Sequence, residues 1–407
     1  AGWPGSMAAL WQRFGRAGRR QGTSLSLLVT SSAPVDQFVA TNSDVLLSQN
    51  IEHARIDPDN AEILVQHLKC AAFELPFEGK EPFREVPSEQ VNDALEFLAS
   101  HELVHPTPLA NGDKAWHWSA DAYPANDVSL RSIGWDNVVI IDVANSKTLA
   151  EMDYRSTHTM LHEQAIYQHE GRQYQVERLD LENHKAYVRL VEPDYFTDAM
   201  TYTRVSVMSR QREAIATSVE FGFGDVSVID RVVGYKKIKY HTHENVGYGD
   251  VRLPEMQMHT TSFWMTIPEL LLNELDVDRP DAIDALRGLL TVMHTVAAVG
   301  LMIDARDLGQ TLESREGHTQ RTTLFDPTMH LYDQVPGGIG LATRLFDEKF
   351  DLLTRSRQLL ERCTCSRGCP ACVGPSVDDP NRPTKASGPI ERKDLALEML
   401  NRIGIQG

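Results

Sequence analysis

Four of the five cysteines fall within ten residues, as Cys363-Thr-Cys365-Ser-Arg-Gly-Cys369-Pro-Ala-Cys372, a C-x-C-x3-C-x2-C spacing. Thiols packed this closely are wrong for a disulfide scaffold and right for a metal. Tetrahedral Zn2+ takes four thiolates at about 2.3 Å, and four protein ligands leave no open position, so such a zinc would be structural. Gly368 and Pro370 supply the turns, and Arg362 and Arg367 are placed to offset the negative charge. An iron–sulfur cluster uses the same ligand count; the very short C-x-C step favours a single ion. Cys70, within VQHLKCAAFEL, reads as a buried helical residue.

A second pattern, Gln12-Arg13-Phe14-Gly15-Arg16-Ala17-Gly18-Arg19, combines small residues with arginines three apart. Residues at that spacing share one helix face. Glycines let the backbone approach a phosphate closely, and a guanidinium stays charged and planar where negative charge gathers in phosphoryl transfer. No G-x-x-x-x-G-K-[ST] loop and no D-E-x-H or D-E-A-D box accompanies it. Without them the chain alone should not hydrolyse ATP.

Three weaker signals follow. Arg231 to His243 interleaves Tyr235 and Tyr240 with Lys236, Lys237 and Lys239; lysines can track a phosphate backbone while aromatic rings stack on bases. The plain alternative is an exposed strand with ordinary charges. Pro336-Gly337-Gly338-Ile339-Gly340-Leu341-Ala342 matches G-x-G-x-x-A and could cradle a phosphate at a helix start, with tight strand–helix packing as the default. His158 and His162 stand four apart, but HEQAI at 162–166 lacks the second histidine of H-E-x-x-H, which leaves a surface role.

The elements that must position these residues change character along the chain. Ser6 to Arg13 predicts a helix, Thr23 to Thr30 a strand, and the stretch from Pro34 through Leu47 a helix, an α/β remnant over 1–50. Over 51–125, a helix Asp59–Phe73 capped by Asp57 or Asp59, a second helix from Pro87-Ser88, and an Asn111-Gly112 hairpin predict a winged helix. Short strands dominate 126–265, an all-β part or barrel. A helical part, 266–407, includes one long helix from Gly340 to Arg362 and carries the cysteines. The fold class is thus multidomain α/β.

A formal net charge of −17 argues against a surface that binds nucleic acid throughout, though not against a local basic groove. No run approaches the ~18–20 apolar residues of a membrane span, and the region from Leu289 to Ile303 reads as a buried helix. Clustered free cysteines point to a reducing compartment, the cytoplasm and its nucleoid in a bacterial source.

The octet at 12–19 resembles motif VI of superfamily 2 helicases, Q/H-x-x-G-R-x-G-R. Further likeness lies in IDPDNAEILVQHLKCAAFELPF at 56–77, LHEQAIYQHEGRQYQVERLD at 161–180, VVGYKKIKYHTHENVGYGDVRLPEMQMHTTSFW at 232–264 and LYDQVPGGIGLA at 331–342. With the cysteines, these segments make the chain similar to the C-terminal half of DEAD/DEAH-box DNA helicases of the mitomycin-repair-factor and Hrq (RecQ-like) type. The resemblance implies a partial RecA-like domain, a winged helix and a zinc-bearing C-terminal domain. It implies 3′-to-5′ movement on DNA, single-stranded or with a 3′ tail, in DNA repair. By carry-over Gln12 joins the nucleotide network, Arg16 and Arg19 act as arginine fingers, and Cys363, Cys365, Cys369 and Cys372 hold Zn2+. ATP and Mg2+ would be held with a RecA-like domain lying upstream; the opening AGWPGSMAAL, without an initiator methionine, reads as the start of a fragment. One stretch, LMIDARD at 301–307, departs from the family pattern. A non-catalytic, zinc-stabilised DNA-binding or protein-docking module remains the rival reading.

Overall fold

The computed structural model describes residues 2–403 except 5, 19–21, 31–33, 42, 49, 54–59, 79–80, 84, 129, 131–136, 218, 276, 314–325 and 375–390. The chain opens with three short helices, α1 (Met7–Phe14), α2 (Pro34–Thr41) and α3 (Asp44–Ser48). Ser6 caps α1 through its hydroxyl, and the Glu52 carboxylate accepts from the Met7 and Ala8 N–H groups at 2.6 and 2.9 Å. An anion at that end satisfies donors that the helix itself leaves open. The strand expected at Thr23–Thr30 does not form. Among the described residues its backbone has no ladder partner, a bond from Gly2 N–H reaches the Val29 carbonyl, and Leu25, Leu27 and Val29 stay exposed. Apolar alternation makes a strand only where a second strand completes its hydrogen bonds.

The next unit comprises α4 (Ala61–Glu74), β1 (Phe77–Glu78), α5 (Ser88–Ser100), β2 (Val104–Pro108) and β3 (Lys114–Trp118). The strands pair in the order β1-β3-β2, and Leu64, Leu68, Val91, Leu95, Leu98 and Trp116 fill the space beneath them. Helices on a small antiparallel wing are the expected winged helix. Two details differ. Asn60 rather than Asp57 or Asp59 caps α4, accepting from Glu62 and Ile63 N–H. The Asn111-Gly112 turn is longer than a two-residue loop, closed by Leu109 N–H on the Asp113 carbonyl.

The strands that follow divide between two sheets. The first joins β4 (Asn137–Asp142), β5 (Lys147–Asp153), β6 (Ile166–His169), β7 (Arg172–Asp180) and β8 (Lys185–Val191) in the order β5-β4-β8-β7-β6, with α6 (Tyr154–Met160) crossing between β5 and β6. The second contains β9 (Tyr195–Val207), β10 (Arg212–Ala216), β11 (Val219–Lys239), β12 (Asn245–Asp250) and β13 (Met256–Thr266). It continues past residue 265, taking in β14 (Leu308–Glu313) and β15 (Thr328–Asp333). The 21-residue β11 is its spine, pairing with β9, β10, β12 and β13. The sheet curls until the Val205 N–H of β9 reaches the Glu313 carboxylate of β14, at 2.8 Å. Val205, Val226, Val228, Met258, Trp264 and Tyr332 pack together inside the curl.

Helices cover the other face: α7 (Glu269–Asn273), α8 (Arg279–Leu301), α9 (Leu341–Asp347), α10 (Lys349–Arg362) and α11 (Arg392–Arg402). The single long helix expected from Gly340 to Arg362 is two, broken at Glu348. Among the described residues α8 alone is long and apolar enough to cross a membrane. Here it is the core helix, with Leu286, Leu289, Val292, Met293 and Ala297 packed on Phe221, Phe263 and Met265 of the sheet. Each fully buried side chain of this size contributes about 1.5–3 kcal/mol. Cys372 and Val373 belong to the same core, so the metal knuckle is part of the packing.

Candidate metal centre

The cysteines sit where α10 ends. The Cys363 N–H caps the helix on the Leu359 carbonyl, which turns the chain out at the first ligand. Gly368 holds φ +127, and a Cβ there would meet the Gly374 carbonyl oxygen at 2.7 Å. Cys372 and Gly374 N–H both close on the Cys369 carbonyl, at 3.0 Å each. These turns bring the sulfurs together: Sγ–Sγ distances are 3.4 Å for 363–365, 3.6 Å for 363–369, and 3.5 Å for both 365–372 and 369–372. All four lie within 4.8 Å of one another. A tetrahedral ion with bonds of about 2.3 Å needs sulfurs just under 4 Å apart. The set therefore fits one ion, and four irons with their sulfides would not fit between these sulfurs. Cys372 is fully buried and the other three are partly exposed. Without metal, burial pushes the Cys372 thiol up to about 12, while a hydrogen bond from the Cys365 backbone lowers Cys363 to about 7.

In the Pro336–Ala342 loop the amides that would face a phosphate already have a partner. The Asp333 carboxylate, at the end of β15, already accepts from Ile339, Leu341 and Ala342 N–H at 2.6, 3.2 and 2.9 Å. Burial pushes this carboxyl up, and its hydrogen bonds with the loop amides pull the other way. The sequence motif is thus a strand–helix joint whose amides are taken up by an internal carboxyl group. Gly337 packs against Asn60, whose Nδ2 donates to the Pro336 carbonyl at 2.5 Å and so joins the winged helix to this loop. A cleft of about 860 Å3 opens beside the joint, lined by Glu62, Arg155, Asp225, Gln257 and His259 among others. Burial raises the Glu62 carboxyl there.

The basic strip is only partly available. Tyr235 is 6% exposed, with its ring stacked 4.9 Å from His162 and packed on Gly249. It is a packing residue, which corrects its assignment as a base-stacking ring. Tyr240 takes hydrogen bonds from the Gln168 and Gln173 amides, and with Phe196 it walls a hollow of about 570 Å3. Lys236, Lys237 and Lys239 are part-exposed on β11, with the Lys237 ammonium 5.3 Å above the Tyr195 ring. His158 and His162, expected at the surface, are buried at 1% and 0% exposure. Each donates through Nδ1–H to a main-chain carbonyl, that of Tyr154 for His158 and of Glu163 for His162, and among the described residues each Nε2 is without a protein partner. Burial lowers both rings, and it lowers His330, beside Ser262, to about 3.

Gln12 and Arg16 are exposed on and just after α1. Arg16 sits in a turn made by its N–H on the Arg13 carbonyl. Arg19 lies outside the described residues. Asp333 and the buried histidines were missed as structural polar residues. The phosphate-loop pattern masked the first, and only the i, i+4 spacing hinted at the second.

Comparison with known proteins finds relatives of these regions. The description "MrfA Zn-binding domain" matches residues 289–373, which contain all four cysteines and Asp333. The description "ATP-dependent helicase HRQ1, winged helix domain" matches residues 56–133. The uncharacterized ATP-dependent helicase YprA of Bacillus subtilis is 38% identical over 405 residues, 99% of this chain and 51% of that protein. The ATP-dependent helicase HRQ1 of Saccharomyces cerevisiae is 26% identical, over 92% of this chain and 35% of its own length. A crystal structure of the DUF1998 helicase MrfA bound to DNA superposes with a TM-score of 0.58 at 36% identity, covering 99% of this chain and 51% of the other. The chain thus spans about half the length, or less, of these relatives.

Proposed function

We propose, from the premise that this chain is homologous to the YprA, Hrq1 and MrfA helicases, that it is the C-terminal portion of an ATP-dependent 3′-to-5′ DNA helicase or translocase acting in DNA repair. The observation that carries the reading is the match over 405 residues, within which a winged-helix region at 56–133 and a zinc-binding region at 289–373 follow in that order. ATP and Mg2+ would be bound with a RecA-like domain lying outside this chain. Gln12 and Arg16, exposed at the end of a well-capped helix, are free to face such a domain, with Arg19 beside them in sequence. Arginines brought up to a γ-phosphate stabilise the charge of the transition state. Closure on ATP and reopening after hydrolysis would step the protein along one strand.

The zinc would supply no chemistry beyond fixing its four thiolates and the core around them. The DNA partner is single-stranded or 3′-tailed. Lys236, Lys237 and Lys239 are assigned to its phosphates, and Tyr240, on the open hollow, to a base. Action on DNA places the protein in the cytoplasm with the nucleoid if the source is bacterial. The test is DNA-stimulated ATP hydrolysis by the full-length protein. Stimulation by single-stranded DNA is expected, and its absence overturns the reading.

The sequence itself favours one rival, because no phosphate-binding loop occurs in these residues. A non-catalytic DNA-binding module would bind DNA with full affinity in this chain and gain nothing from ATP when joined to the rest, and a protein-docking module would hold its metal and bind no DNA.

A further inference from the structure

Lys393 stands in the first turn of α11, 20 residues beyond the end of the matched zinc-binding region. It is 9% exposed, and its ammonium donates to the carbonyls of Cys363 at 2.6 Å and Cys365 at 2.8 Å. Its two neighbours hold the same knuckle. Arg392 forms a two-pronged pair with Asp284 of α8 and donates to the carbonyl of Val373 at 3.2 Å, next to the last ligand. Glu391 pairs with Arg367, inside the cysteine cluster, at 3.3 Å. Arg367, expected from sequence to offset the thiolates, is thus already paired with a carboxylate, and Arg362 is exposed.

Zn2+ with four thiolates carries two net negative charges. A charge out of water needs a partner, and so does a buried ammonium. Lys393 brings the two together: its positive end rests on the main chain of the first two ligands without taking a coordination position. We propose that Lys393 is the charge-compensating and positioning residue of the metal centre. The functional zinc unit then extends past the matched region to α11, and metal binding and the docking of α11 are reciprocally coupled. The inference rests on the zinc assignment and is independent of helicase activity.

The test uses the full chain, as wild type and as Lys393→Met and Lys393→Arg, loaded with one zinc and challenged with a chromogenic chelator. Groups that support metal ligands from outside typically change affinity about 10–100-fold. Lys393→Met is expected to release zinc faster by a factor in that range, and Lys393→Arg, which keeps charge and donors, to stay close to wild type. The Co2+-substituted Lys393→Met chain should keep the absorption bands of a tetrahedral tetrathiolate. Amide exchange in wild-type residues 392–402 should accelerate when zinc is removed, a readout that stands even if Lys393→Met does not fold. Wild-type release rates in Lys393→Met overturn the proposal, as do equal losses in both variants or unchanged exchange in α11. A wild-type chain that takes up neither zinc nor Co2+ overturns the metal assignment and the proposal with it.

Discussion

The cysteine knuckle and the arginine segment are the two most recognisable patterns in this chain, and they are built in opposite ways. The knuckle is finished: its sulfurs stand 3.4–3.6 Å from their neighbours, Cys372 is fully buried, and α8, α10 and α11 close round it. The arginine segment is open. Gln12 and Arg16 face solvent, and Leu25, Leu27 and Val29 of the following stretch remain exposed. A metal site whose four ligands lie in one chain can close on itself, whereas arginines proposed to act on a phosphate held by another domain must stay open to it. The contrast teaches that stability and catalysis should separate under mutation.

The sharpest test of the finished half is Cys372→Ser. Zinc contributes about 10–16 kcal/mol in small zinc-folded peptides. Loss of the ion should therefore melt the packing of α10 and α11, seen as zinc-free protein and a lost upper transition in calorimetry. An unchanged melt would mean that the knuckle is decoration. The open half is tested by Arg16→Ala. Exposed substitutions usually stay within about 0.5 kcal/mol, while a missing arginine finger costs about 10³–10⁵-fold in rate. The full-length variant should keep its melting temperature and lose its DNA-stimulated ATPase. A destabilised variant with normal turnover would reverse the comparison.

Asp333→Ala probes a second finished site, one that the sequence disguised. It strands three buried N–H donors, and a buried donor left without its partner costs about 1–3 kcal/mol. A loss of about 3 kcal/mol or more is expected in denaturant unfolding, and a neutral outcome would show the loop free to hold another anion. Acid probes other buried polar groups. His330, His158 and His162 have folded values below the ordinary 6.5, so the unfolded chain takes up protons first. Stability should be full above about 6.5 and fall as pH drops towards 3, where His330 itself titrates. His330→Gln should flatten part of that slope in pH-dependent melts. The smallest effect belongs to the open surface: Lys237→Ala should lower DNA affinity modestly and reduce the salt slope by about one, measured by anisotropy at several salt concentrations. A slope that does not change would remove Lys237 from the phosphate path.

What was legible in sequence follows the same division. The cysteine spacing is local and overdetermined, so ligands and turns could be read directly. The winged helix was legible because the apolar period of Val91, Leu95 and Leu98 and the hairpin turn agree. The Thr23–Thr30 segment misled because its strand pattern depends on a partner strand that local residues do not reveal. Tyr235 misled because strand alternation says which residues share a face and not which face is covered; His162 and Gly249 cover it. The role of Asp333 was hidden because a helix start filled by an internal carboxylate has the same glycine pattern as one awaiting a phosphate. Lys393 was invisible because its partners are carbonyls of residues 28 and 30 positions away.

Asn60 uses both ends of one amide: its oxygen caps α4 of the winged helix, and its nitrogen donates to Pro336 in the zinc-binding region. The two regions matched as separate families are therefore not interchangeable cassettes. A chimera that grafts a relative's winged helix onto this chain must carry an asparagine at this position and leave Gly337 opposite it. Otherwise the graft will have each half folded and the seam between them open.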